Sequence, residues 1–189
     1  MEDLVENLAS RFLLCMFLSI QIGGSMSNSD KSVISNGKAI KHEPVQKHKS
    51  IQDVQGELVK EFSIFDTVDD KLSYLNGFGR GQSGIIDESC IKEGNTIHGC
   101  VTRAWLKTEI KDGQVNYKAY SHDQTIKGIL ALLVGVMSHH EAEEIIDAEL
   151  TCIEDIGLSE RLGRQTCNSI NAIVEQMKLE ALELSQKQK

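Results

Sequence analysis

Aromatic side chains are scarce in this 189-residue chain, at 5% of the total with a single tryptophan, so its core must be mainly aliphatic, with isoleucine and leucine supplying most of the apolar area. Positive charge is short as well. Lys and Arg number 20 against 28 Asp and Glu, a formal charge of −8, which argues against the clustered basic face that a nucleic-acid surface needs. No apolar run is long enough for a membrane helix. The stretch Phe12 to Ile22 falls short of the roughly 20 residues that cross a bilayer. Cysteine pairs are missing too: the five cysteines, Cys15, Cys90, Cys100, Cys152 and Cys167, are odd in number and contain no Cys-x-x-Cys. That pattern excludes a disulfide framework and a closed zinc site, and it points to a reducing compartment, hence a cytoplasmic location.

The first fifty residues read as a leader outside the fold. A secretory signal is disfavoured because Glu2, Asp3 and Glu6 occupy the section that should be basic, with only Arg11 positive. Met26 is the expected start, since Gly23-Gly24 just upstream is what a purine-rich GGAGG ribosome-binding sequence would encode. Ser27 to Ser50 is rich in Ser, Asn, Lys and His, holds the only proline, Pro44, and lacks periodic apolar spacing, as a mobile tail would. Residues 51–189 are expected to form one domain.

Within that domain the spacing predicts helices over Ile51 to Phe62 and Val68 to Phe78, the second with Leu72, Leu75 and Phe78 on one face and Asp66 or Thr67 as its cap. Gly77, Gly79, Gly81 and Gly84 follow. They do not make a phosphate loop, because no strand precedes them and no Lys-Ser or Lys-Thr closes them. Val101 to Ile110 alternates Thr102, Ala104, Leu106, Thr108 and Ile110 against Val101, Arg103, Trp105, Lys107 and Glu109; Asp112-Gly113 is a hairpin turn, and Val115, Tyr117 and Ala119 continue the alternation. A strongly apolar helix begins at Asp123 and carries Ile126, Ile129, Leu130, Leu133, Val134 and Met137. A short amphipathic helix follows over Glu141 to Glu149, and a last helix over Thr166 to Leu184. The fold class expected is α+β, a small antiparallel β-sheet packed against several α-helices. His139-His140 read as a helix end rather than a metal site.

Chemistry centres on Cys100, in the run Ile97-His98-Gly99-Cys100-Val101-Thr102-Arg103-Ala104-Trp105, at the mouth of the hairpin. A thiol reacts as thiolate, and with an ordinary pKa of roughly 8.5 only a few per cent is ionised at neutral pH, so its setting decides its reactivity. Placing it on a loop beside a rigid strand lets it reach a partner. His98, two residues away, reads as a surface group. Trp105 reads as a core anchor or pocket wall, and Cys90 as an ordinary small buried residue.

This run resembles the motif of the SufE family of sulfur-acceptor proteins: an apolar residue, a variable one, then Gly-Cys-Gln-Ser-(Gln or Arg)-Val-Trp. Gly99, Cys100, Arg103 and Trp105 match it, while Val101, Thr102 and Ala104 depart. Three further segments are similar in the same order: Lys71 to Arg80, Ser121 to Leu133 with Ile126, Lys127, Gly128 and Leu130, and Ile156 to Leu162. Four ordered segments over residues 55 to 180 are much harder to match by accident than one. The chain departs where the family carries charge: His122 stands in place of an Asp, with Asp123 next, and Thr166 stands where an Arg is usual.

The resemblance implies a SufE/IscU-like fold and a persulfide carrier. Cys100 would take sulfane sulfur from a SufS-like cysteine desulfurase, stimulate it, and pass the sulfur to a SufBCD-like iron-sulfur assembly scaffold. His98, Gly99, Arg103, His122 and Asp123 would form the loop and partner surface, with His122 facing the thiol if the family geometry holds. No metal and no cofactor of its own is implied; pyridoxal phosphate belongs to the partner desulfurase. Monomer and homodimer both remain open. Two other readings of the residues stand beside this one: an IscU-type scaffold using Cys90, Cys100 and Cys167, and a cysteine hydrolase with His122 as base.

Overall fold

A computed structural model describes residues 49–80 and 84–187. The leader readings, from the apolar stretch Phe12 to Ile22 through Met26 to the tail, lie outside these residues except at Lys49 and Ser50, as does Gly81. The order of elements is α1 (Ile51–Phe62), α2 (Val68–Phe78), two 3-10 turns at Glu88–Cys90 and Glu93–Asn95, β1 (Ala104–Lys111), β2 (Gln114–Ser121), α3 (Gln124–Met137), α4 (Ala142–Asp147), α5 (Cys152–Asp155) and α6 (Ser159–Lys187). This is the α+β class expected, a two-stranded antiparallel sheet with helices packed around it.

Local signals place the first two helices. Ser50 and Asp53 close a reciprocal capping box on α1, each side chain accepting the other's backbone N–H at 3.1 Å. Ile51, Val54, Leu58 and Phe62 then fall on one buried stripe. Thr67 caps α2 by accepting from the Asp70 N–H. Gln55 is buried yet fully occupied: its Oε1 accepts the N–H groups of Thr151 and Cys152 at 2.9 and 3.1 Å, and its Nε2 donates to the Glu149 carbonyl at 2.9 Å. One side chain thus supplies acceptors that the uncapped start of α5 lacks.

Asp112 and Gly113 both have positive φ, 54° and 81°, the geometry of a two-residue hairpin turn that follows the twist of the strands. One face of the hairpin, with Ala104, Leu106, Val115, Tyr117 and Ala119, lies in the main core beneath α3, which is buried along most of its length. The other face carries Trp105 opposite Tyr120 and is covered by residues 85–97, which bridge from Ile86 on the β2 edge to Thr96 on the β1 edge. From that cover Cys90 packs onto Trp105 and Tyr120 in a small separate cluster. Helix α6 lies along β1 and accepts the Tyr117 hydroxyl at the Met177 carbonyl, 2.7 Å away.

Boundaries differ from expectation in β1, in α4, which is shorter than Glu141 to Glu149, and in the last helix. The strand begins at Ala104, three residues after the alternation starts, because the Val101 amide is bonded to a helix side chain instead of a neighbouring strand. The last helix begins at Ser159 and breaks at Gly163, whose φ of 75° lies outside the helical region. Helix α3 stops at Met137 with His139-His140 just past its end, as expected, and His139, at a φ of 65°, turns the chain so that His140 bridges to Val115 and its Nδ1 stands 3.1 Å from a Glu144 carboxylate oxygen.

An aromatic group of Phe62, Phe65, Tyr74 and Phe78 joins α1 to α2. At its margin the Tyr74 hydroxyl donates to Glu61 Oε1, while Oε2 is buried without a partner. Burial pushes the Glu61 carboxyl from its ordinary 4.5 up to about 7, against a smaller opposing effect of the Tyr74 bond. A carboxyl whose folded value is raised favours the fold fully below pH 4.5, and that contribution is lost as pH rises through about 7. Glu61→Gln, which cannot ionise, should remove the loss. After discounting for partial solvent exposure, the variant should gain on the order of 1–2 kcal/mol relative to the parent between pH 5 and pH 8 in urea unfolding. Parallel stability curves for the two proteins would refute the assignment.

Candidate functional site

Two residues flanking Cys100 rest on the same face of α6. Before it, Gly99 has a φ of +83°, and a Cβ there would stand 3.2 Å from Ala172 Cβ, so both the backbone and the space call for glycine. After it, the Val101 N–H donates to Ser169 Oγ at 2.8 Å, and that fully buried hydroxyl donates in turn to the Gln165 carbonyl at 3.1 Å. Between these two anchors the Cys100 side chain is half-buried and packs against the edge of the main core. The loop is closed behind by the Ile97 N–H donating to the Ala104 carbonyl at 2.9 Å.

Beside the loop lies a cleft of about 270 Å³ with Val101 and Thr102 on one wall. Its floor and far side come from Leu72 of α2, Ile126 of α3 and Leu162 of α6. Asp123, Arg161 and Thr166 supply polar groups at its rim. Val101 is 52% exposed there, an apolar side chain held out beside a thiol. The Thr102 hydroxyl faces no partner and no solvent. Arg161 pairs with Asp69 at 2.9 Å, but both side chains are largely exposed, so the pair orients the guanidinium more than it stabilises the fold.

The residues singled out from the sequence divide into two groups. Asp123 lines the cleft and also caps α3, accepting the Ile126 N–H at 2.9 Å. Arg103 is exposed at the head of the hairpin, with its carbonyl accepting the Ser121 hydroxyl at 2.9 Å. His98 is exposed. His122 is packed edge-on against Trp105 and Tyr120, at 5.5 and 5.3 Å between ring centres, on the face of the hairpin that holds Cys90. Among the described residues no hydrogen bond joins His98 or His122 to the Cys100 thiol. Ser169 and Arg161 were not marked by sequence reasoning as site residues, since a serine and an arginine on a helix carry no signal of the loop they face.

The remaining described thiols sit in other settings. Cys90 is buried on the inner side of the covering segment, and burial, followed by the nearby Asp87 charge, holds its pKa above the ordinary value. Burial pushes Cys152 up to about 12. Both stay protonated near neutral pH. Cys167 is half-buried and donates to the Ser159 carbonyl at 3.5 Å. Cys90 and Cys100 belong to different clusters, and among the described residues no group of three or more His, Cys, Asp or Glu side chains is placed to hold a metal ion. No helix among those residues is long and apolar enough to cross a membrane.

Comparison with known proteins adds three findings. Residues 32–181 match the family model described as SufE, Fe-S metabolism associated domain. An uncharacterized SufE-like protein of Synechocystis sp. is 26% identical over 125 residues, which cover 66% of this chain and 78% of that protein. The solution structure of a hypothetical protein from Thermus thermophilus has a TM-score of 0.57 at 13% identity, over 69% of this chain and 96% of that one, a likeness of fold.

Proposed function

This chain belongs to the SufE family, associated with Fe-S metabolism, and from that premise we propose that it is a persulfide carrier with Cys100 as its acceptor. The observation that supports this most directly is the contrast among its thiols. Among the described thiols, Cys100 is the one on an irregular surface loop beside an open cleft and within the family's motif, while Cys90 and Cys152 are sealed in apolar surroundings and Cys167 lies half-buried on α6. A carrier thiol has to meet a second protein's sulfur, so access is the first requirement.

The reaction is thiol exchange. The Cys100 thiolate attacks the terminal sulfur of a persulfide on a cysteine desulfurase; the new bond joins Cys100 Sγ to that sulfur, the donor's S–S bond breaks, and the donor cysteine leaves as thiolate. Cys100 then carries the persulfide to an iron-sulfur assembly scaffold, where the same exchange runs onward. Removing sulfur from the desulfurase frees it for another turnover, which is the basis of stimulation. The desulfurase's pyridoxal phosphate liberates the sulfur from cysteine, and this chain contributes the acceptor and the docking surface. The reducing cytoplasm suits a thiol that must stay unpaired.

The arrangement does not favour a hydrolase. An acyl-transfer site uses the amide after the nucleophile as an oxyanion donor and bonds the thiol to a base, whereas the Val101 amide is occupied by Ser169 and the His122 ring packs on Trp105 and Tyr120. A cluster scaffold would need converging thiolates, and Cys90 lies in a different cluster from Cys100.

The decisive test is intact mass after incubation with a desulfurase and cysteine, followed by digestion. One added sulfur on the peptide bearing Cys100 is the expected result; sulfur on a different peptide, or none, would overturn the proposal.

A further inference from the structure

We propose that Ser169 is a positioning residue that governs how far the Cys100 thiol is offered to a reaction partner. The inference deepens the reading of Cys100 as acceptor and rests on it for its biological meaning, but its physical content concerns this chain alone. The residues on either side of the thiol lie over one face of α6, Gly99 so near Ala172 that a Cβ on it would stand 3.2 Å from the Ala172 Cβ, and Val101 joined to Ser169 by its hydrogen bond. Positions 169 and 172 are three apart on a helix and therefore adjacent on its surface. The two anchors differ in kind. At Gly99 the constraint is one of space and backbone conformation, whereas the Val101 bond is a single directional interaction between a loop amide and a fully buried hydroxyl that has its own acceptor, the Gln165 carbonyl.

A bond of this type holds the loop against the helix, and with it the half-buried side of Cys100. The bound arrangement also carries a cost, since the Thr102 hydroxyl one residue further on is buried without a partner. That cost offsets part of what the Ser169 bond contributes, so the loop depends the more on Ser169 to hold its place. A docking partner that competes for the Val101 amide, or bears on the exposed Val101 side chain, would release the thiol.

The experiment measures the rate at which iodoacetamide alkylates each cysteine, resolved by peptide mapping, in the full chain across pH 6 to 9. Ser169→Ala removes the acceptor and should raise the Cys100 rate by about two- to tenfold at every pH, the range that follows from losing one ordinary hydrogen bond. Ser169→Thr keeps the hydroxyl and should return the rate close to that of the parent. Cys90 and Cys152 serve as internal reporters of the fold and should stay slow in all three proteins. An unchanged Cys100 rate in the alanine variant, a threonine variant that behaves like alanine, or acceleration of Cys90 and Cys152 together with Cys100 would overturn the proposal. Because no desulfurase is present, its failure is separate from failure of the sulfur-transfer reading, which the mass measurement tests.

Discussion

Cys100→Ser should abolish persulfide formation on this chain and the stimulation of a cysteine desulfurase, while leaving the fold in place. The substitution exchanges one heavy atom on a half-buried side chain at the edge of the core, so its cost to stability should stay below about 1 kcal/mol. The chemical change is much larger. A serine hydroxyl is not ionised near neutral pH and has no adjacent base here to activate it, so it cannot open a donor persulfide. The matched control is Cys167→Ser, the other half-buried thiol, which should retain transfer because its sulfur is directed to the Ser159 carbonyl and away from the loop. Radiolabelled sulfur from cysteine, followed onto each protein in the presence of the desulfurase, reads both variants. Transfer that survives in Cys100→Ser and disappears in Cys167→Ser would reverse the assignment.

Where a feature of the fold is written locally, the sequence shows it plainly. Ile51 to Phe62 and Val68 to Phe78 carry their own caps and apolar stripes, and the structure returns those bounds residue for residue. Asp112-Gly113 sets the register of the hairpin by itself, because a two-residue turn with both φ values positive leaves no freedom of alignment. The alternation leaves open which side of β1 enters the main core; Ala104 and Leu106 do, and Trp105 packs in the smaller cluster on the other face.

Features that depend on distant partners were not legible. The alternation runs on through Val101 and Thr102, yet the strand does not, since Ser169 takes the Val101 amide from across the molecule. Nothing periodic marks residues 85–97 as the cover of the outer sheet face, because two short turns and isolated bridges have no repeat to detect. His122 illustrates the same limit at the site. Its place in the sequence suggested a partner for the thiol, but as the residue after β2 it projects to the Trp105 and Tyr120 side of the hairpin, where two aromatic rings receive it. The cation that the family pattern has at position 166 is absent, and Arg161 brings a guanidinium to the same cleft from one turn earlier on α6, past the break at Gly163.

The largest stability effect should come from adding one carbon at Gly128. An alanine Cβ there would lie 2.1 Å from the Leu75 carbonyl oxygen and 2.9 Å from its carbonyl carbon, where α2 and α3 cross. Backbone atoms cannot rotate aside, so the helices must separate. That separation would break packing along α3 and widen the cleft, whose walls include Leu72 from α2 and Ile126 from α3. Overpacking of this severity outweighs the gain of about 1 kcal/mol that alanine brings to a helix, and Gly128→Ala should lose about 2–4 kcal/mol in urea unfolding. Gly135, two residues from the other end of the same helix, provides the contrast: no heavy atom lies within 4 Å of its missing Cβ. Gly135→Ala should therefore gain about 0.5–1 kcal/mol from helix propensity alone. Opposite signs at two glycines of one helix would show that contact between α2 and α3, and not backbone preference, fixes the residue at 128; equal shifts in the same direction would show that the crossing is looser than the geometry implies.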